Sequence, residues 1–117
     1  MREVNPGILN FVVIFEVMFV WIFSQSNRYQ SFEIYKGDTI NIVDANGLRQ
    51  GKWIIRGKNY NKPEYQPEQI VEEGYYKNNK KVGVWITYYP GGTKKSEITY
   101  EDGQPKGPYK LYYENGV

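Results

Sequence analysis

Residues 83–92 read GVWITYYPGG and residues 107–116 read GPYKLYYENG. A shift of 24 positions lays 73–93 over 97–117. Glu73 then meets Glu97, Tyr76 meets Tyr100, Gly83 meets Gly107, Tyr88 meets Tyr112, Tyr89 meets Tyr113 and Gly92 meets Gly116, with Trp85 over Tyr109. Self-similarity at a fixed short period constrains the fold more than any other feature of the chain. Each copy must be a supersecondary unit too small to bury its own apolar side, so neighbours must bury it. The retained positions are aromatics and glycines, the residues that packing and backbone geometry make hardest to exchange.

An earlier copy lies 32 residues upstream. DANGLRQGKWII (44–55) aligns with YKNNKKVGVWIT (76–87), placing Asn46 on Asn78, Gly51 on Gly83, Trp53 on Trp85 and Ile54 on Ile86. The eight additional residues fall in GKNYNKPEYQPEQ (57–69), which holds two prolines, has no apolar period and reads as an inserted surface loop. The copies therefore run over about 40–56, 72–92 and 96–116.

Each copy reads as a β-hairpin. EEGYYKN and SEITYED are first strands, and VWITYY and PYKLYY are second strands. NNKKVG and DGQPKG are the turns between them, with Asn or Gly where positive φ is needed. PGG and ENG lead to the next hairpin, and DANG (44–47) is a turn, lacking the later ligands of a calcium loop. Seventeen per cent aromatic residues, including twelve Tyr, beside twelve Gly fit many short strands with tight turns. Pro105 and Pro108 fall in a turn and at a strand start.

Alternation divides the side chains between two faces. Trp53 and Ile55, then Trp85, Thr87 and Tyr89, then Tyr109, Leu111 and Tyr113 form the expected core face, with Ile98 and Tyr100 from a first strand. Lys52, Ile54 and Arg56, then Val84, Ile86 and Tyr88, then Pro108, Lys110 and Tyr112 form the expected outer face, with Glu97, Thr99 and Glu101. The glycine opening each second strand, Gly51, Gly83 or Gly107, leaves room for a neighbouring copy or makes a bend that tolerates no Cβ.

The first 24 residues differ. ILNFVVIFEVMFVWIF (8–23) is apolar except at Asn10 and Glu16, and polar SQSNRYQ follows. An export signal cut near Ser24 or Ser26 fits this pattern. A retained anchor is the alternative, although sixteen helical residues span about 24 Å, short of a bilayer core of about 30 Å. A buried helix is a third. Residues 25–39 read as a linker and lead-in to the first strand. Without 1–24 the chain carries fourteen Lys and Arg against eleven Asp and Glu, a net +3 that neither demands nor forbids an anionic partner.

The pattern Glu73-Gly74 with Tyr76, Asn78-Asn79-Lys80, Gly83-Val84-Trp85, Tyr88-Tyr89 and Gly92 resembles the MORN repeat family over roughly 40–117. The Gly-x-Trp form followed by Tyr-Tyr looks most like bacterial MORN-like proteins labelled as antitoxin components. Two departures stand out: Asp44 takes the place of Tyr76 in the first copy, and Ile98 replaces an expected glycine in the last. The resemblance implies an all-β fold of stacked antiparallel hairpins in a short extended sheet, preceded by the apolar segment, which is expected to be helical. It implies scaffolding, dimerisation or phospholipid contact, and carries no catalytic residues. The structural positions are Gly51, Trp53, Tyr76, Gly83, Trp85, Tyr89, Gly92, Tyr100, Gly107, Tyr109, Tyr113 and Gly116.

With no Cys or His, thiol nucleophiles, Cys/His zinc sites, disulfides and the usual hydrolase base are excluded. Glu72, Glu73, Glu97, Glu101 and Asp102 could bring carboxylates together as in a glycosidase, but such residues more often form a solvated sheet face. Lys80, Lys81, Lys94 and Lys95 form a basic edge that either blunts strand pairing or meets phosphate or lipid. Tyr88 and Tyr112 are a candidate stacking surface. The expected protein is thus a non-enzymatic exported module, without cofactor, that binds a protein or envelope component. An antitoxin-like partner and a phospholipid-contacting module are the alternatives. Nucleic acid is not expected, and the C-terminal edge offers a route to self-association, since the sequence stops where another first strand would begin.

Overall fold

A computed structural model of the chain describes residues 28–115. The apolar segment 1–24, with its expected helix, and Gly116 lie outside the described residues. The rest is antiparallel sheet with a single helical turn, as the repeat pattern implies. Strands β1 (Tyr29–Tyr35), β2 (Asp38–Asp44), β3 (Arg49–Arg56), β4 (Ile70–Lys77), β5 (Lys80–Tyr88), β6 (Lys94–Glu101) and β7 (Gln104–Pro105) pair in chain order, and β8 (Lys110–Leu111) pairs with β6 beyond β7. The helical turn α1 (Gly57–Tyr60) begins the insertion. Residues assigned to a lead-in thus include a full strand, β1.

Three of the hairpins close through two-residue turns. Lys36-Gly37, Asn78-Asn79 and Asp102-Gly103 all have positive φ, from 49° to 86°. Positive φ at both central positions is the turn whose twist matches that of paired strands, and it selects for Asn, Asp and Gly. DANG is indeed a turn: the Asp44 carboxylate accepts from the Asn46 and Leu48 amides at 2.9 and 3.0 Å. The Leu48 amide first, then the Gln50 side chain and the Asn46 amide, hold the Asp44 carboxyl below the usual range.

The repeated glycine proves to be a bulge residue at Gly83 and Gly107. Gly51, Gly83 and Gly107 have φ of +70°, +70° and +79°. Tyr75 pairs with Val82 and Glu73 with Ile86, so Gly74 alone faces Gly83, Val84 and Trp85. Pairing jumps in the same way between Tyr100–Pro105 and Glu97–Lys110, around Gly107. An αL glycine is the residue such a bulge requires. Of the two explanations for these glycines, the bend stands and the steric one falls: a Cβ on Gly83 or Gly107 would meet nothing within 4 Å. In the first copy Asn41 (φ 54°) replaces ladder bonds with its side chain, accepting from Ile54 N at 2.8 Å and donating to Ile54 O at 3.0 Å.

The close approach belongs to Gly74. A Cβ there would lie 2.3 Å from Cδ2 of Trp85, so the indole lies against the bare backbone. Trp85 is 2% exposed and its Nε1 donates to Tyr75 O at 2.9 Å. Tyr76 packs edge-on to Trp53 at 5.5 Å and Trp85 at 4.9 Å between ring centres. The shared shielding of these rings is the core that the repeat predicts.

Face assignment fails at both ends. Ile54 and Arg56, expected outside, are buried. Strand β1 covers that side of β3: Glu33 pairs with the Arg56 guanidinium, which also lies 4.9 Å from the Tyr35 ring centre. Tyr109, Leu111 and Tyr113, expected inside, are 63%, 66% and 75% exposed. The departure at Ile98 explains this. Ile98 stands where Gly74 stands one copy earlier, so a ring at 109 seated as Trp85 is would meet a branched side chain instead of bare backbone. The expected second strand 108–113 accordingly shrinks to Lys110–Leu111.

Candidate binding surface

The four lysines of the expected basic edge do different work. Lys80 pairs with Asp102 at 3.4 Å and Lys94 with Glu97 at 2.6 Å, so their charges are locally compensated. That contact lowers the Glu97 carboxyl and raises the Lys94 ammonium from their ordinary values. Lys81 instead lies 4.5 Å from the Trp85 ring centre and 5.2 Å from that of Tyr100, and Lys95 lies 5.7 Å from that of Tyr89. Arg49 continues the pattern, 4.2 Å from the Tyr76 ring centre and donating to its hydroxyl at 2.8 Å. A cation over a ring face stabilises by about 0.5–2 kcal/mol, depending on desolvation. One basic side chain thus lies over a core ring on each of β3, β5 and β6.

Tyr88 and Tyr112 are half-buried and form no stacking ladder with each other among the described residues. The Tyr88 hydroxyl donates to Glu73 at 2.8 Å, and burial, reinforced by that carboxylate, pushes its phenol well above 10. Tyr112 is tied into the sheet: its amide donates to Lys95 O at 2.9 Å and its carbonyl accepts from the Tyr89 hydroxyl at 2.8 Å. Gly92 lies in the β5–β6 turn, where its φ is +100° and its amide donates to Tyr89 O at 3.0 Å. Glu73 and Glu97 are half-buried while Glu101 and Asp102 are solvated; each of these four has a hydroxyl or ammonium partner.

Two features escaped the sequence reading. The first is the polar knot beneath β1. Glu33 accepts from Asn41 Nδ2 at 2.6 Å and from Arg56, which also donates to Glu68 at 2.7 Å. Only the pattern of a charged residue in an apolar stretch, at Arg56, could have signalled it. Beside it lies a cleft of about 260 Å³ lined by Phe32, Glu33, Asn41, Trp53, Ile55 and Asn59, whose Glu33 and Asn41 are already engaged within the protein. The second is the order of the insertion. Residues 57–69, expected as a surface loop, form a strap pinned to the end of β5 and the residue after it: Tyr65 Oη donates to Tyr88 O and Gln69 Nε2 to Tyr89 O, both at 2.7 Å.

Neither the lysines nor the tyrosine pair offers a concentrated apolar surface, but the stretch around β8, in the outer strand line of β7 and β8, does: Tyr109, Leu111 and Tyr113 stand in solvent there. Among the described residues the ladder pairs of that line to β6 are those of Tyr100, Glu101, Ser96 and Glu97, with further backbone bonds from Lys106 N to Thr99 O and from Tyr112 N to Lys95 O. No family model, curated protein or solved structure matches the chain.

Proposed function

We propose that this chain is a non-enzymatic, MORN-like binding module, exported from the cytoplasm, whose hairpin sheet holds a protein or envelope component against its outer strand line. The observation that carries the reading is the exposure of Tyr109, Leu111 and Tyr113, at 63–75%, along one short stretch. Large rings exposed together are costly in water and mark interaction surfaces. Tyr and Leu side chains beside a sparsely paired strand suit an extended segment of a partner, taken up by added strand pairing and side-chain contact. The rest of the sheet serves as a rigid support, with its core rings capped by Arg49, Lys81 and Lys95.

A photo-crosslinking residue at position 111 tests the reading in cells. A discrete crosslinked product is expected, lost when Tyr109 and Tyr113 are both changed to Ser. Absence of any such product, with the chain folded and abundant, overturns it. Export is tested by the mass of the mature N-terminus and by cell fraction: recovery of the intact chain in the cytoplasm contradicts that part.

A further inference from the structure

The insertion is the one segment that breaks the repeat, and it does not lie loose. Besides the bonds from Tyr65 and Gln69, Tyr60 Oη donates to the Glu72 carboxylate at 3.0 Å, and Gly91 N donates to Gln69 Oε1 at 3.1 Å. Gly57 fits so closely under the strap that a Cβ would lie 2.4 Å from Gln66 O. Ordered insertions on a repeat scaffold are common places for binding sites.

Where the strap meets the sheet it closes a cleft of about 160 Å³, walled by Tyr60, Lys62 and Tyr65 and by Glu72, Thr87 and Lys95 of the strands. Among the described residues neither Lys62 nor Lys95 has a carboxylate oxygen within 4.0 Å. Lys62 lies 5.2 Å from the Tyr60 ring centre and Lys95 lies 5.7 Å from that of Tyr89. The single carboxylate of the lining, Glu72, is engaged by the Tyr60 hydroxyl rather than by either lysine. Two ammoniums against one engaged carboxylate leave the cleft net positive. Its volume is below the roughly 300 Å³ at which sites for drug-sized ligands begin.

We infer that this cleft binds a small oxyanion, a phosphate or a short carboxylate, between the Lys62 and Lys95 ammoniums. An oxyanion there gains two charge-assisted hydrogen bonds, the stronger class of such bonds. The Tyr60 and Tyr65 rings narrow the space around it. Lys62 comes from the insertion and Lys95 from β6, so the site exists only because the strap reaches across β4 and β5. This inference is independent of the outer-strand reading, since the two surfaces share none of the residues that carry them.

The test is amide-resolved NMR of the full chain at constant ionic strength, titrated separately with inorganic phosphate, phenyl phosphate, acetate and chloride. Saturable shifts are expected at Tyr60, Lys62, Thr87 and Lys95 with phosphate or acetate, and not with chloride. Lys62→Gln and Lys95→Gln should each raise the midpoint at least about fivefold. Lys77→Gln, on β4 outside the cleft, should leave it unchanged. A tighter midpoint for phenyl phosphate identifies an oxyanion borne on a ring, and an equal one identifies the free anion. Non-saturating shifts, chloride matching phosphate, or a midpoint indifferent to both lysine variants overturns the inference. Retained dispersion of the Trp85 and Tyr76 amides shows that each variant remains folded.

Discussion

The Trp85 indole lies on the Cα of Gly74, close enough that a single methyl group at 74 would overlap three of its ring carbons at 2.3–2.5 Å. Gly74→Ala therefore must displace the largest of the fully buried side chains among the described residues or bend β4. Overpacking of this severity costs about 3 kcal/mol or more. Gly83→Ala meets nothing within 4 Å and suffers only from its φ of +70°, at about 1–2 kcal/mol. Urea denaturation should rank Gly74→Ala well below Gly83→Ala in stability. The opposite order would mean that the bulge, and not the seat of the indole, limits the sheet.

The same geometry separates two residues that the repeat treats as equivalent. Trp85→Ala should lose about 3–5 kcal/mol, as a buried ring replaced by a cavity does. Tyr109→Ala should stay within about 0.5 kcal/mol, because its ring is 63% exposed. For a domain of this size each kcal/mol moves the melting temperature by about 4–8 °C. Melting curves showing equal losses at the two positions would contradict the role assigned to Ile98.

The contrast shows what was legible in the chain. Hairpins, tight turns and the rings of the central copy could be read because local chemistry specifies them: Asn78-Asn79 and Asp102-Gly103 dictate their turns, Trp53 recurs as Trp85, and Tyr76 recurs as Tyr100. The fate of the outer copies could not, because it depends on a neighbour across the ladder. Ile98 was visible as a departure, but its consequence for Tyr109 needs the bulge register, in which residues 98–99 face 106–109. Likewise, strict alternation placed Ile54 and Arg56 outside, since nothing local reveals that β1 folds over that side. Of the candidate site, Lys81 and Lys95 were legible as basic residues. Their difference from Lys80 and Lys94 lies in carboxylates and rings that strand pairing brings near.

The Arg56–Glu33 contact gives a third prediction. Arg56 is buried to 6% side-chain exposure, while Glu33 retains 34%. Removing one partner of a buried pair leaves an uncompensated charge, at about 3–5 kcal/mol. Glu68 still holds Arg56 from the strap, so Glu33→Gln should fall near the lower end, at about 3 kcal/mol. Glu101→Gln breaks only the solvent-exposed contact with Lys106 and should cost no more than about 0.5 kcal/mol. Hydrogen exchange should localise the first loss to β1 and β2. Unchanged protection of the Tyr35 and Ile40 amides in Glu33→Gln would show that β1 is held by other contacts.

The last prediction concerns alkaline pH. Burial, followed by the nearby Glu72 carboxylate, pushes the Tyr60 phenol up to about 12, and burial with the Glu73 hydrogen bond raises Tyr88 as well. In the unfolded chain both ionise near 10. Below 10 the folded and unfolded states hold the same protons at these sites, so stability should not change there on their account. Above 10 the unfolded chain sheds protons that the folded one keeps, and stability falls as pH climbs from about 10 towards 12. Denaturation midpoints should be level from pH 8 to 9.5 and decline by pH 11, with a shallower decline for Tyr88→Phe. The hydroxyl removed in that variant donates to Glu73, so its midpoint at pH 8 should drop by about 1 kcal/mol. Absorbance at 295 nm follows the same protons directly, and should show the wild-type chain ionising later than Tyr88→Phe relative to tyrosine content. A midpoint that stays level through pH 11 would place the two phenols in water rather than against the carboxylates of β4.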